Sequence, residues 1–248
     1  MTNELDSYRK FAELYDAMTP DDPNRRAFFD RLFRDRNVKT VLDCACGTGS
    51  DALLFHSLGY KVAASDLSES MLAVARRKFQ QHNVDIPLRC ADFHYLPKEY
   101  DRHFDAVICL TNAINELPVN TEHALQSMAA VLAPNGIMVF DQGQTDFTLR
   151  DPPRYVPVAN TPTLSRLFVM NYQTDIMTVE VFDFVHDERS ADYDFFRSKF
   201  EIHLRRLADW KEMLQHLNMD AQFFGSWKGE PYDIDGSTRL IVVAARSA

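Results

Sequence analysis

The chain holds 248 residues, 46% of them hydrophobic and 25% charged, an ordinary globular composition that excludes disorder and suits one α/β domain. Its 27 Lys and Arg against 36 Asp and Glu leave a formal net charge of −9, which argues against nucleic acid as a partner, because phosphate binding needs a basic excess. Apolar runs such as 240–245 are far too short to cross a bilayer.

The first sixteen residues are acidic and amphipathic and show no basic stretch followed by an apolar run, so no targeting segment is expected there. Cys44, Cys46, Cys90 and Cys109 fall in or beside expected buried strands. No second Cys or His cluster accompanies them, so reduced thiols, no metal and a cytoplasmic chain are expected. Arg197, Lys199, Arg205 and Arg206 read as exposed alternate positions of one strand, not as a basic patch.

In chain order, two helical segments flank a proline-containing break at 19–24, and the second carries Phe28, Phe29, Leu32 and Phe33 on one face. Regular alternation follows. Strands are predicted over 40–44, 61–65, 87–90, 106–110 and 137–141, the last introduced by a turn at Pro134, Asn135 and Gly136. Helices are predicted over 50–58, ended by Gly59, over a stretch capped by Ser68, and over 122–132. Strands alternating with helices imply a parallel sheet covered on both faces. From Leu164 the pattern changes to strand-like runs at 164–171, 177–185 and 195–204 without helices between them. In the last run Phe196, Ser198, Phe200, Ile202 and Leu204 alternate with charged neighbours, as in a sheet with one wet face. A helix with Leu207, Trp210, Leu214 and Leu217 on one side and strands at 221–224 and 239–245 complete the chain.

The strongest signal is VLDCACGTGSDALLF at 41–55. A strand ends at Asp43, a tight loop holds Gly47 and Gly49, and a helix begins at Ser50, so backbone can approach a ligand closely. The second strand ends in Asp66, whose carboxylate suits a ribose diol. Read literally, residues 47–52 also satisfy the dinucleotide fingerprint. Asp43 favours the other reading: a carboxylate ahead of the glycines repels a pyrophosphate but suits the ammonium of a methionine moiety on a cationic sulfonium ligand.

These residues resemble the class I S-adenosylmethionine-dependent methyltransferases. Through SDLSESMLAVARRK, FDAVICLTNAINELP, LAPNGIMVFD and SKFEIHL the chain looks most similar to the glycine N-methyltransferase group and related small-molecule N-methyltransferases. The resemblance implies a Rossmann-like, doubly wound sheet of seven mostly parallel strands with an antiparallel β insertion near 155–205. The whole chain then reads as one domain: a helical lid (1–36), the cofactor-binding core (37–145), the insertion (155–205), and a closing helix and strands (206–248). It implies S-adenosylmethionine as cofactor and S-adenosylhomocysteine as product. Arg34 takes the place of the arginine that grips the cofactor carboxylate, and Ala45, Cys46 and Gly47 run along the methionine. Asp66 and Leu67 flank the ribose, Asp92 and Phe93 stand for the adenine-binding pair, and Leu110 touches the cofactor from the fourth strand.

On the acceptor side, Asn112 matches an asparagine that contacts the amino-acid substrate, Tyr15 matches an N-terminal tyrosine, and Glu116 replaces a histidine. Asn112 and Glu116 share one face if their turn is helical. Gly143 stands where the family has a carboxylate-binding arginine, a loss of several kcal/mol in recognition. Glycine is therefore not expected as the acceptor. A small-molecule amine facing Glu116, Asn112 and Tyr15 is expected instead. An O- or C-methyltransferase of a phenolic metabolite, a non-catalytic cofactor-binding scaffold and an NAD-dependent reductase are the alternatives. For an oxygen nucleophile, His94 or His203 would be the general base. No motif sets an oligomeric state.

Overall fold

A computed structural model of the chain describes residues 10–18, 22–116, 120–186 and 192–247; the expected lid therefore lies partly outside the described residues. Helix α1 (Pro23–Asp35) starts where Asp22 accepts the Asn24 N–H at 2.8 Å, with proline at its first position. Its buried Phe28, Phe29 and Phe33 pack on Trp227 and Phe55. Strand β1 (Thr40–Asp43), helix α2 (Ser50–Ser57), strand β2 (Lys61–Asp66), helix α3 (Glu69–Gln81) and strand β3 (Leu88–Cys90) follow. Ser68 caps α3 by accepting the Met71 N–H, and Gly59, at φ +92°, ends α2 as its sequence position requires. Strand β4 (Phe104–Cys109), helix α4 (Thr121–Ala130) and strand β5 (Leu132–Gln142) complete the parallel core.

The main sheet has seven strands in the order β10-β11-β5-β4-β1-β2-β3, where β10 is Met219–Phe224 and β11 is Leu240–Arg246. Only β11 runs against its two neighbours. The period of two along each strand splits the core into two layers. Val41, Ile108 and Val139 face α1–α3, whereas Leu42, Val107 and Met138 face α4 and helix α5 (Leu207–His216), which buries Trp210. The expected turn at 134–136 lies inside β5. Leu132 pairs with Phe104 and Ile137 with Ala106, so residues 133–136 bulge out between those pairs.

A second, antiparallel sheet has the order β6-β7-β8-β9: Tyr155–Asn160, Leu164–Tyr172, Ile176–His186 and Tyr193–His203. Strand β6 lies within the expected insertion but ahead of the strand-like runs that begin at Leu164, and it contains Pro157. It is tolerated because β6 is an edge, with a register shift just after the proline. Phe11 and Ala12 of the N-terminal segment, with Met71 of α3, pack on Met177, Val179, Val181 and Ile202 of this sheet. Arg166 and Asp183 form a buried bidentate pair at 2.6 and 2.7 Å, and Arg166 also donates to the Leu14 carbonyl at 3.1 Å. No helix among the described residues is long and apolar enough to cross a membrane.

Candidate functional site

The carboxyl ends of β1, β2 and β4 open into a cavity of about 1160 Å³, roofed by the N-terminal segment and the second sheet. Small-ligand pockets typically span roughly 300–1,000 Å³, so this space admits a nucleoside-sized ligand and a second molecule together. Gly47 adopts φ +52°, which only glycine takes cheaply, and its N–H donates to Asp66 Oδ2 at 2.8 Å. Asp66 Oδ1 accepts the Ser68 N–H at 2.8 Å. Each oxygen keeps an acceptor site, so the carboxylate is fixed in place yet able to take two hydroxyls of a diol.

Across the cavity, Asp92 Oδ1 accepts both the backbone N–H and the ring of His94, the latter at 2.6 Å. His94 Nε2 accepts the Asn120 N–H at 3.0 Å, so Nδ1 carries the ring proton and donates it to Asp92. This arrangement leaves Asp92 Oδ2 for a ligand and stacks Phe93 beside His94 with ring centroids 5.2 Å apart.

Past β4, Thr111 and Asn112 both sit in the left-handed region, at φ +61° and +66°. For a β-branched threonine that is a strained conformation, kept only where neighbours over-determine it. The neighbours are clear. The Thr111 N–H donates to Asp141 Oδ1 at 2.6 Å, Asp141 is paired with Arg239, and Asn112 Oδ1 accepts the Gly143 N–H at 2.8 Å. Glu116 follows in extended backbone and bridges to Ile202 of β9. Burial, and then the charge of Asp66, pushes its carboxyl up to about 7. Only residues 113–115 are helical, so Asn112 and Glu116 meet at the cavity wall and not on one helix face.

Residues 41–136 match a family model described as a methyltransferase domain. The chain is 33% identical over 155 residues to a glycine/sarcosine N-methyltransferase of Parasynechococcus marenigrum, covering 58% of this chain and 54% of that protein. A glycine N-methyltransferase of Rattus norvegicus is 33% identical over 138 residues, 50% of this chain and 47% of its own length. The chain thus spans about half the length of the curated relatives it matches. An S-adenosylmethionine-dependent methyltransferase from Clostridium acetobutylicum superposes with a TM-score of 0.84 at 20% identity, covering 97% of this chain and 99% of that one. A sugar N-methyltransferase from a Streptoalloteichus species gives 0.73 at 22%, covering 96% and 93%. The chain shares its fold with these two methyltransferases.

Within the methyltransferase fold, Tyr15, Ala45, Cys46, Gly47, Asp66, Leu67, Asp92, Phe93, Leu110, Asn112 and Glu116 all line the one cavity. Arg34, Asp43 and Gly49 do not. Arg34 pairs with Asp30 one turn back at 2.6 Å, and its side chain is 73% exposed. Three arginines line the cavity, Arg25, Arg26 and Arg239; of these Arg25 is paired with Asp51 at 2.5 Å and has its Nε buried and unpartnered among the described residues. Helical spacing carries the signal for it, since Arg25, Phe29 and Phe33 are four apart on the inward face. Asp43 lies behind the glycine loop, 2% exposed, with Oδ2 unpartnered. Burial, and then the charge of Asp51, raises its carboxyl well above the usual range; a cation at the loop would oppose that shift. Gly49 has a packing role: a Cβ there would lie 2.7 Å from the Phe79 ring.

One further expectation is corrected. Neither histidine is available as a base, because both ring nitrogens of His94 are engaged and His203 lies off the cavity. Arg166 is spent on Asp183 and the Leu14 carbonyl, so it cannot replace the missing carboxylate clamp.

Proposed function

We propose that the chain transfers a methyl group from S-adenosylmethionine to the nitrogen of a small-molecule amine. The observation that carries this reading is Glu116, a carboxylate that lines the cavity just past β4, where a methyl acceptor would lie. S-adenosylmethionine supplies an electrophilic methyl on a sulfonium. The orphaned Arg25 Nε suits its carboxylate, Asp66 its ribose, and Asp92 with Phe93 its adenine. Glu116, ionised above about pH 7, attracts a protonated amine and takes one N–H proton onto its carboxylate, which frees the nitrogen lone pair. Asn112 and Tyr15 hold the nitrogen in line, and the second sheet keeps water out.

Glycine suits this site poorly. Gly143 brings no side chain, Arg166 is buried in its own pair, and Arg239 is held by Asp141. An acceptor screen that reads S-adenosylhomocysteine release tests the reading, with primary amines, amino acids and phenols as separate sets. Turnover concentrated in the amines is expected, with glycine weak; turnover confined to phenols would overturn it.

Cofactor affinity separates the two arginines. Asp66→Ala should weaken S-adenosylhomocysteine binding by about ten- to a hundredfold, the worth of charge-assisted bonds of roughly 1.5–3 kcal/mol. Arg25→Ala should weaken it by about tenfold or more, whereas Arg34→Ala should leave it within about twofold. Calorimetry in which Arg34→Ala is the damaging variant would restore the family position.

A further inference from the structure

The acceptor end of the cavity has a definite chemical texture. The register of the second sheet sets its inner face in rungs: Tyr172, Met177 and Ile202; then Met170, Val179 and Phe200; then Phe168, Val181 and Ser198. Of these, Phe168, Met170, Met177, Val179, Ser198, Phe200 and Ile202 reach the cavity. Glu116 bridges to Ile202, so the carboxylate stands at the start of the first rung. Same-face residues on a strand are about 6.6 Å apart. The wall therefore runs about 13 Å from Ile202 to Ser198, and Ser198 is the first hydroxyl met on that face of β9. Phe11 and Tyr15 close the opposite side, in ring contact with each other at 5.7 Å, and Phe11 meets Phe200 at 6.5 Å.

A polar acceptor such as an amino sugar needs a hydrogen-bond partner for every hydroxyl it buries. Over the first two rungs the wall residues that reach the cavity, Met177, Ile202, Met170, Val179 and Phe200, carry no hydroxyl, amide or charge. An apolar body gains from each methylene it places there.

We propose that the acceptor is an amphipathic amine, an alkyl- or arylalkylamine whose nitrogen meets Glu116 and whose apolar body lies along Ile202, Met177, Val179, Phe200 and Met170. The proposal rests on the amine reading given above. It narrows the substrate class to amines with at least about a four-carbon or phenyl body, set against the antiparallel sheet.

The test is kcat/KM across primary amines from ethylamine to hexylamine, with 2-phenylethylamine, an amino sugar and glycine alongside. Each buried methylene is worth about fourfold, so hexylamine should exceed ethylamine by on the order of a hundredfold. The same slope should appear in dissociation constants measured by calorimetry on protein saturated with S-adenosylhomocysteine. Phe200→Ser and, separately, Met170→Ser should flatten it, with a melting curve confirming that each variant folds. A flat series in the wild type, or an amino sugar preferred over hexylamine, would overturn the proposal and leave the amine reading standing. If alkylphenols show the slope and no amine is methylated, the amine reading fails while the apolar wall holds.

Discussion

Glu116→Gln is expected to lower kcat/KM for the amine acceptor by about 10²–10⁴ at pH 8, the usual worth of a positioned base, while making the protein harder to unfold. The carboxyl sits at about 7 in the fold, against an ordinary value near 4.5. Between those values the folded chain holds a proton that the unfolded chain has released, so stability falls as pH rises through that window. Above pH 7 the fold carries this charge at a cost that solvent screening holds to about 1 kcal/mol. Gln keeps the shape and removes the charge. The melting temperature should therefore rise by roughly 2–4 °C at pH 8, and the gap should nearly close at pH 4.5. The wild-type rate should climb through an apparent pKa near 7, and the variant should lack that limb. A variant that retains the limb, or that melts lower than wild type at pH 8, would place the titrating base elsewhere.

Gly49→Ala is the second large effect, and it falls on stability. Gly49 caps the start of α2 at φ +80°, donates its N–H to the Cys46 carbonyl at 2.8 Å, and accepts the Leu53 N–H at 3.0 Å. An added Cβ would stand 2.7 and 2.8 Å from two Phe79 ring atoms and 3.2 Å from the Ala75 Cβ. Phe79 is buried in the core and cannot swing aside. Left-handed backbone costs an alanine about 1–2 kcal/mol, and overpacking adds about 1–3. The expected loss is about 2–5 kcal/mol, or roughly 5–15 °C in melting temperature. Gly143, by contrast, has open space around its Cβ position, so Gly143→Ala should melt within about 2 °C of wild type. Equal melting temperatures for all three proteins would return Gly49 to a purely ligand-facing role.

The core was legible because its signals are local. Apolar runs at the period of a buried strand, Ser68 and Gly59 at helix ends, and the glycine loop before Ser50 each specify one structure. The cavity residues at strand ends followed from them. What escaped depends on how elements dock. Arg25 and Arg34 share one helix, and matching by position ahead of β1 selects Arg34, which faces away from the cavity, although its spacing with Phe29 and Phe33 marks Arg25 as inward. Gly49 and Gly47 look alike in a motif, yet one approaches a helix and the other the cavity. The left-handed turn at Thr111 has no local signature, since a β-branched residue argues against that backbone; only Asn112 is of a type that adopts it readily, and these turns are not local in origin. They are imposed by Asp141 and Gly143, about thirty residues away. The alternation in β9 was plain, but nothing local says that its apolar face meets the cavity.

The Arg166 contact to Leu14 has a thermodynamic consequence. Residues 10–18 lie on the glycine loop through Asp16, which accepts from Thr48 at 2.5 Å and pairs with Lys78 at 2.6 Å, and on the second sheet through Leu14 and Phe11. Under the proposed function, one short segment thus borders both ligands. If its docking loosens when the cavity is empty, the first ligand to bind restores it and the second meets a chamber already assembled. Linkage then requires reciprocity: the factor by which S-adenosylhomocysteine tightens the amine equals the factor by which the amine tightens S-adenosylhomocysteine. Arg166→Met with Asp183→Leu removes the buried pair without stranding a charge, and should bring that shared factor towards one.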